Sequence, residues 1–562
     1  MKKKILFHSN SAKAYTGFGK NAKNIIKYLY KTGKYEIIEF ANGLQWGDKS
    51  LSLRPWKAQG SVPNNPSVLQ KMNKDPNLGK IGGYGGLSID QAIKEYKPDI
   101  YLGVEDIWAF GDYWEKPWWN KINHMIWTTL DSQPILPQAL QAAPKTKNFY
   151  VWASFAEKDM KKLGHDHVKT LHGSVDTKDF YKISDKDKQI LRSKFNLSDE
   201  FIIGFVFRNQ LRKSVPNLLE GFKIFKKDCP RAKLLLHTHW SEGWDIPRLI
   251  EEKSLNKEDI LTTYYCKVCN QYEIKPFYGQ DLDCRFCGSK KSQVTTNTKD
   301  GVNENQLNEI YNLMDVYCHP FTSGGMEIPI FEAKLTELIT LVTDYSCGED
   351  SSKSECGSFP LEWSEYREPG TQFIKASTYP SSIAKQLKKV WKMNNYKRFQ
   401  MGEKGRQWTI ENYSTEVIGK KLETILDNMP DVDYDFITEE KNQNVDLKKD
   451  LPDGKKIAVI IPRSERDVLW VNSLIGNLKK LYSEYKIFVF TMPEYFPYIE
   501  DNKDIEKVFP YTADIDDTLL LEGSSGRESF FDIAFAPHSN TQKLINFTHN
   551  GIDKNEFELI KS

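Results

Sequence analysis

The sequence predicts an α/β protein built on parallel sheets. Short apolar runs typical of buried strands alternate with stretches of helical periodicity, beginning with a strand at residues 4–7 and a helix at 21–30. Strand, loop and helix repeated in this order favour parallel sheets with right-handed crossovers. Ligands of such sheets bind at the carboxyl ends of the strands, so functional residues are expected there.

Length and composition narrow the class of protein. The 562 residues suffice for roughly three or four domains. Lys and Arg number 78 against 76 Asp and Glu, and this balance gives no basic field for non-specific nucleic-acid binding. No apolar run approaches the ~18 residues of a membrane span, and the start lacks the apolar region of a signal peptide. We therefore predict a cytoplasmic protein, in the host cytoplasm if the chain is viral.

The predicted elements follow one another along the chain with two breaks. Residues 44–86 are rich in Gly, Pro, Asn and Trp, and we interpret them as an irregular insertion near the mouth of a site. The polar stretch 439–455 has the composition of a linker. Further strands are predicted at 35–40, 98–104, 123–129, 201–207, 233–237 and 316–319. The predicted domains are 1–172, 173–438 with an insertion at 264–298, and, after the linker, 456–562.

Four of the eight cysteines form two C-x-x-C pairs inside the insertion at 264–298. Cys266 and Cys269 are separated by fourteen residues from Cys284 and Cys287. This spacing allows four thiolates to surround one zinc ion tetrahedrally, and it leaves no position open for catalysis. We predict a structural zinc ribbon that serves as a structural or protein-contact clip; a DNA contact is the alternative, although the local charge is mixed.

Two loops at predicted strand ends have the character of anion sites. Gly17 and Gly19 follow the first strand and open a helix, where backbone amides favour anions; a plain turn is the alternative. Arg208 and Lys213 bracket the loop after the strand 201–207. Two cations at that edge can hold a diphosphate as its charge grows on departure, whereas a solvated charge run is the simpler interpretation.

A third loop follows the strand 316–319 and leads into a helix near residue 329. Gly324 and Gly325 supply backbone amides beside the start of that helix, an arrangement suited to phosphate. Glu332 in the first helical turn can accept hydrogen bonds from a ribose diol. A carboxylate that simply stabilises the helix dipole is the alternative.

Taken as an ordered set, these motifs resemble the retaining glycosyltransferases of family 4, which have the GT-B fold of two facing Rossmann-like domains. The resemblance covers residues 4–430 and rests on the matching segments 16–19, 154–155, 172–180, 208–213, 320–333 and 412–426. It implies a nucleotide-diphosphate sugar in the cleft, gripped by Arg208 and Lys213, with Glu332 at the nucleotide. It also implies that 412–426 packs back on the cleft.

The chain departs from the family pattern at two positions. The family has two glutamates eight residues apart, and Gly324 stands where the first would be, with Glu327 three residues further on. Glu327 is therefore the candidate for the missing role near the transferred sugar, and the amides of Gly324 and Gly325 are the alternative. A family histidine at the end of an N-terminal strand has Asp131 as its candidate substitute, and Glu105 and Asp106 also lie at a strand end facing the cleft.

The resemblance implies transfer with retention by a front-face route, in which the leaving diphosphate takes the acceptor's proton. Positioning and electrostatics then matter more than a nucleophile, and no catalytic divalent metal is expected. Asp514 and Asp516 form a D-x-D triplet in the tail. Residues 456–562 resemble half of a family 9 glycosyltransferase. We interpret this module as an acceptor-handling or docking unit, with a decayed domain and a second active site as alternatives.

These motifs do not identify the molecule that carries the acceptor hydroxyl. A surface polysaccharide or lipid-linked glycan, a protein, a small molecule and a hydroxymethylated base in phage DNA are all compatible with the donor chemistry. The inserted ribbon and extra module resemble modular glycosyltransferases of bacteriophages. Two other functions remain as alternatives: a zinc-containing nucleotide-sugar-binding scaffold with an inactive cleft, and a nucleotide-sugar epimerase of the same fold.

Overall fold

The computed structural model describes residues 2–297, 300–434, 436, 451–461, 464–511, 531–537 and 545–548. The chain divides into two compact units, Met1–Phe436 and Ile437–Ser562. Two large sheets and a two-stranded hairpin lie in the described part of the first unit, and one sheet lies in that of the second. Within these ranges, no helix combines the length and apolarity that a bilayer crossing would need.

The first sheet is parallel and lies in the continuously described stretch 2–172. Its seven strands are β1 (Lys3–Asn10), β2 (Tyr35–Gln45), β3 (Lys57–Val62), β4 (Ile100–Gly103), β5 (Asn123–Thr128), β6 (Asn148–Val151) and β7 (Lys169–Thr170). Across the sheet they run β3-β2-β1-β4-β5-β6-β7, every neighbour parallel. The order reverses direction between β1 and β4, and this switch opens a crevice at their carboxyl ends.

Helices cover this sheet and bury its strands on both faces. They are α1 (Gly17–Thr32), α2 (Pro66–Lys74), α3 (Pro76–Gly83), α4 (Ile89–Tyr96), α5 (Pro137–Ala142) and α6 (Ser154–Lys162). Ile5, Leu6 and Phe7 of β1 are fully buried, which explains their continuous apolar run. Thr16 caps α1 by accepting a hydrogen bond from the Gly19 amide at 3.0 Å, so the helix starts directly at the predicted glycine loop.

Residues 44–86 are more regular than the sequence analysis predicted. They contain β3, which extends the edge of the sheet, and the helices α2 and α3. Asn65 and Asp75 each cap a helix whose first residue is proline, accepting hydrogen bonds from Ser67 and Asn77. The prediction of an irregular segment was wrong. It overlooked that an Asn or Asp followed by proline is a signal for the start of a helix.

The second sheet lies between residues 201 and 361, of which 298 and 299 are outside the described ranges. Its eight described strands are β8 (Phe201–Val206), β9 (Ala232–His237), β10 (Ile260–Cys266), β11 (Tyr272–Pro276), β12 (Gln293–Thr295), β13 (Val316–His319), β14 (Thr340–Thr343) and β15 (Ser358–Leu361). The main order is β11-β10-β9-β8-β13-β14-β15, and β12 pairs with β10. The switch between β8 and β13 opens a second crevice at the carboxyl ends.

The hairpin and helices of this domain complete the first unit. The hairpin strands are β16 (Trp363–Arg367) and β17 (Ile374–Thr378); the helices are α7 (Asp185–Lys194), α8 (Val215–Lys226), α9 (Ile246–Glu252), α10 (Glu304–Leu313), α11 (Ile328–Leu335), α12 (Pro380–Trp391), α13 (Asn395–Tyr413) and α14 (Thr415–Asp427). Helix α14 returns to the N-terminal domain, where Ile418 and Leu422 share a core with Ile25 and Leu29 of α1. This crossing ties the two sheets into one unit.

The cysteine-containing insertion grows directly out of the second sheet. The first half of β10 pairs in parallel with β9, from Ile260 to Thr262. Its second half pairs antiparallel with β12, and β11 pairs along most of its other edge. One strand therefore belongs to both the main parallel sheet and the ribbon.

The second unit contains a mainly parallel sheet and one long helix in its described residues. These are β18 (Lys456–Ile461), α15 (Glu465–Leu481), β19 (Lys486–Thr491), β20 (Lys507–Pro510), β21 (Ile533–Ala536) and β22 (Ile545–Thr548), with strand order β20-β19-β18-β21-β22 and β22 antiparallel. Val471 and Ile475 of α15 pack against Ile457 and Val459. Asp514 and Asp516, and residues 439–450 of the predicted linker, lie outside the described residues.

Candidate functional site

The loops after β1, β4, β8 and β13 meet around a cavity of about 530 Å³ in the first unit. These loops leave the carboxyl ends of the strands at both switch points, so the two crevices form one space. Of the residues predicted from sequence, nine line it: Gly17, Glu105, Asp106, Asp131, Arg208, Lys213, Gly325, Glu327 and Glu332. Gly19 and Gly324 lie behind this surface.

One side of the cavity carries three cations, Arg208, Arg212 and Lys213, which we call the cationic wall. The loop is fixed because the Thr322 amide donates to the Arg212 carbonyl at 2.8 Å. Arg208 is exposed to solvent, whereas Lys213 is buried. Sequence reasoning selected Arg208 and Lys213 but missed Arg212, although it adjoins Lys213 in the same loop.

Glu327 is the counter-ion of the cationic wall. Arg212 Nη1 lies 2.5 Å from Glu327 Oε1, and Lys213 pairs with Oε2. His319 Nε2 is 3.1 Å from the same Oε2. Burial by itself would raise the pKa of Glu327, but the charges of Lys213 and Arg212 hold it well below its usual value. The carboxylate is therefore ionised and holds both cations in place.

His319 supports Glu327 from behind as a neutral imidazole. It is fully buried at the end of β13, and burial lowers its pKa to about 4. Since an ionised carboxylate can only accept, Nε2 carries the proton and donates to Glu327, and the bare Nδ1 accepts from the Tyr317 hydroxyl at 2.9 Å; the same hydroxyl lies 3.0 Å from the Val206 carbonyl oxygen. This chain of buried contacts fixes the Glu327 carboxylate without adding a further charge.

The two neighbouring glycines define where this carboxylate can lie. A Cβ atom at Gly324 would be 2.7 Å from Glu327 Oε1, so the Glu327 carboxylate fills the space that a side chain at 324 would occupy. A Cβ atom at Gly325 would be 2.6 Å from Asp131 Oδ1 and 2.3 Å from Thr129 Cβ. Glycine at 325 therefore allows the loop after β13 to touch the N-terminal domain.

Glu332 lies on α11 in a buried, fully partnered position. Tyr311 donates to its Oε2 at 2.7 Å, and Lys20 from the N-terminal helix α1 pairs with its Oε1. Lys20 was not selected from sequence, because its partner is 312 residues away. A ribose at Glu332 would lie where the two domains already touch.

The glycine loop after β1 contributes one lining residue and one packing residue. Gly17 lines the cavity next to Thr16 and Phe18. Gly19 is buried, and a Cβ atom there would be 2.3 Å from the Ala14 carbonyl oxygen. Glycine is therefore required at 19 by close backbone packing, and its predicted contact with a ligand is not supported by its position.

The N-terminal side of the cavity carries three carboxyl groups, Glu105, Asp106 and Asp131, which we call the acidic wall. Burial raises the pKa of Glu105 to about 8, although Asn42 donates to its Oε1 at 3.1 Å. Burial and the nearby charge of Asp131 raise the pKa of Asp106 to about 6. Thr129 donates a hydrogen bond to Asp106.

The raised pKa of Glu105 predicts a specific pH dependence of stability. Its folded-state pKa, about 8, exceeds the ordinary value of 4.5, so the folded chain holds an extra proton between these pH values. The free energy of unfolding therefore falls as pH rises from 4.5 to about 8, levels off above that, and does not depend on this group below 4.5. Glu105→Gln should raise the free energy of unfolding at pH 9 by up to about 5 kcal/mol and change little at pH 4.

Denaturant unfolding of both proteins between pH 4 and 9 measures this effect. Glu115→Gln is the control, since Glu115 is an exposed carboxyl of the same domain. Parallel stability curves for wild type and Glu105→Gln over that range would contradict the assignment.

The four cysteines of the ribbon converge as their spacing predicted. Cys266 and Cys287 have Sγ atoms 3.8 Å apart, those of Cys269 and Cys284 are 3.7 Å apart, and all four lie within 4.8 Å of one another. A tetrahedral zinc with Zn–S bonds of about 2.3 Å requires an S–S separation of about 3.8 Å. The cysteines are free, so this cluster could hold one zinc ion.

Contacts between the domains beside the cavity were also missed by sequence reasoning. Buried Lys375 of β17 donates to Ser132 at 2.7 Å and to Ser323 at 2.6 Å. The two serines belong to the loops that carry Asp131 and Gly324. Lys375 thereby joins these two loops, and no local sequence signal indicates this role.

Comparison with known proteins shows that this two-domain unit is similar in fold to solved glycosyltransferases. No protein-family model matches the chain, and no curated protein matches it in sequence. Among solved structures, a glycosyltransferase from Rickettsia africae has 16% identity and a TM-score of 0.52, with 76% of this chain and 98% of that chain covered. HepE of Anabaena, solved in complex with UDP, has 14% identity and 0.51, with 76% and 100% covered.

Sucrose-phosphate synthase from Thermosynechococcus elongatus gives a comparable match. It has 12% identity and a TM-score of 0.52, and the alignment covers 76% of this chain and 98% of that chain. At these identities the likeness establishes the fold. The first unit has the GT-B fold, in which two Rossmann-like domains share one cleft.

Proposed function

We propose that the protein transfers a sugar from a nucleotide-diphosphate sugar to an acceptor hydroxyl. The observation that carries this proposal is the cationic wall, which faces a 530 Å³ cavity between two Rossmann-like domains. Charge-assisted contacts from Arg208, Arg212 and Lys213 suit a diphosphate. The GT-B neighbours support the same chemistry, since HepE was solved with UDP and with UDP-glucose.

In this proposal the diphosphate binds to the cationic wall while the ribose diol binds to Glu332. The bond between the sugar C1 and the diphosphate oxygen breaks, a bond forms from C1 to the acceptor oxygen, and the leaving diphosphate takes the hydroxyl proton. The cationic wall stabilises charge that grows on the leaving group. Transfer with retention follows from the resemblance to family 4 and is part of the proposal.

Glu327 has a double task in this reaction. Before the donor binds, it pairs with both Arg212 and Lys213, so each of these cations has a counter-ion and one net positive charge remains for the donor. Its carboxylate also fills the space at Gly324, where the family's first glutamate would stand. We therefore propose Glu327 as the replacement for that glutamate beside the transferred sugar, with Asp131 across the cleft.

The ribbon is proposed to have a structural task. Cys266, Cys269, Cys284 and Cys287 would hold one zinc ion and thereby fold the insertion onto β10. All four ligands are protein thiolates, so the metal would supply stability and no open position for a reactant.

A donor screen tests the proposed function. The purified chain is incubated with UDP-glucose, UDP-N-acetylglucosamine, GDP-mannose and ADP-glucose, and release of the nucleoside diphosphate is measured. We expect slow hydrolysis of at least one donor, and we expect the donor that is hydrolysed fastest to be a UDP-sugar. Absence of hydrolysis and of nucleotide binding across the panel would contradict the proposal.

Glu332→Ala should chiefly weaken nucleotide binding. The variant loses a charge-assisted hydrogen bond of about 1.5–3 kcal/mol to the ribose, which corresponds to a Kd for UDP roughly 10- to 100-fold higher. Calorimetric titration with UDP measures it, and the exposed Glu355→Ala in the same domain is the control. An unchanged Kd would refute the ribose contact.

A further inference from the structure

The acidic wall of the cavity also carries aromatic side chains. Tyr84 and Trp108 line the cavity with ring centroids 4.9 Å apart in an edge-to-face arrangement. Trp152 lines it too, is almost fully buried, and its indole nitrogen donates to no described residue. This side therefore combines flat apolar rings with hydrogen-bond acceptors and one unused donor.

Charge is divided between the two sides of the cavity. Arg208 on the cationic wall has no ion-pair partner among the described residues, whereas Arg212 and Lys213 are paired with Glu327. Among the described lining residues, the N-terminal domain contributes one lysine or arginine, Lys20, and its ammonium is paired with Glu332. An anionic donor is thus attracted to one wall and repelled by the other.

Building on the proposed function, we infer that the acceptor is an uncharged carbohydrate, bound through its hydroxyls to Asp106 and Asp131 and through apolar contact with Trp108, one ring face of which Lys80 covers at 3.9 Å from the ring centroid. Carboxylates accept hydrogen bonds from sugar hydroxyls, and a few placed polar groups beside aromatic surface are typical of small-molecule recognition. A nucleic acid requires cations along its phosphates, and the carboxylates of Asp106 and Asp131 at the point of transfer oppose it.

The test separates the acceptor from the donor reaction in one preparation. The full-length chain is incubated with the UDP-sugar that it hydrolyses, together with neutral oligosaccharides or with a duplex containing 5-hydroxymethylcytosine. Donor hydrolysis reports the proposed function, and mass spectrometry of each acceptor reports the inference. We expect transfer to a neutral oligosaccharide, unaffected by salt, and none to the duplex.

Variants of the wall provide a second measurement. Asp106→Asn should lower the ratio of transfer to hydrolysis at least about tenfold, because one charged acceptor oxygen is replaced by an amide NH2 that cannot accept a hydrogen bond from the hydroxyl. Trp108→Ala should raise the KM for the oligosaccharide, again by roughly tenfold. Asp112→Asn is the control, since Asp112 is an exposed carboxyl four residues from Trp108 and does not line the cavity.

Two results would overturn the inference. One is transfer to the hydroxymethylated duplex at a rate equal to that of the best oligosaccharide, which would also fall steeply with salt. The other is donor hydrolysis that no carbohydrate in the panel converts to transfer. Loss of hydrolysis itself would count against the proposed function, so the two failures are distinguishable.

Discussion

Lys213→Ala is expected to lower turnover by at least about 100-fold, because the variant lacks the ammonium that stabilises the negative charge growing on the leaving diphosphate. The variant should also be less stable. Lys213 is buried against Glu327, and removing one partner of such a pair costs roughly 3–5 kcal/mol, less here because Arg212 still binds the carboxylate. The kcat for donor hydrolysis and a thermal melt measure the two effects.

Arg208→Ala separates the catalytic effect from the structural one. Arg208 is exposed and makes no hydrogen bond or ion pair with a described residue, so its removal should lower kcat and leave the melting temperature unchanged. Arg231→Ala is the control, since Arg231 is exposed and directly precedes β9, at the amino ends of the strands of the same sheet. Near-wild-type turnover in both Lys213→Ala and Arg208→Ala would show that the diphosphate site lies elsewhere.

The second large effect is expected at the ribbon. We predict one zinc ion per chain, and we predict that Cys287→Ser abolishes its binding. Because structural zinc contributes about 10–16 kcal/mol of apparent binding energy and β10 is shared with the main sheet, the melting temperature should fall by at least about 5 °C. Elemental analysis and a thermal melt, with and without a chelator, measure both changes.

The choice of cysteine isolates the metal from packing. Cys287 is exposed, so serine at this position loses a ligand and buries no new hydroxyl. Cys229→Ser is the control, because Cys229 is a buried cysteine outside the cluster. Zinc-free wild-type protein, or equal zinc content in Cys287→Ser, would contradict the metal site.

Much of the secondary structure could be predicted because it depends on local signals. The strands near β1, β8 and β13 are short buried apolar runs, and α1 begins at the capping residue Thr16. The error at 44–86 also has a local cause, since Asn65 and Asp75 before prolines mark helix starts that composition alone obscured. Composition averages over a window, whereas a helix cap is a property of one residue.

The sequence by itself determined that the candidate site residues lie at strand ends and that the four cysteines converge. Arg208, Lys213 and Glu332 follow buried strands, and parallel sheets collect such residues at one edge. The cysteine knuckles are local in the same sense, because four thiolates within 22 residues can reach one ion without help from the rest of the fold.

Only the tertiary structure decided how these groups are paired. Glu327 binds Arg212 and Lys213 across 115 and 114 residues, and Lys20 reaches Glu332 across 312. The pairs of Glu327 arise where the loops after β8 and β13 meet within one domain, and the pair of Lys20 arises from the approach of two domains; no spacing along the chain encodes either. Gly19 is a second example, because glycine is needed there for close packing against the Ala14 carbonyl. Local sequence cannot distinguish a glycine that faces a ligand from one that packs against its own backbone.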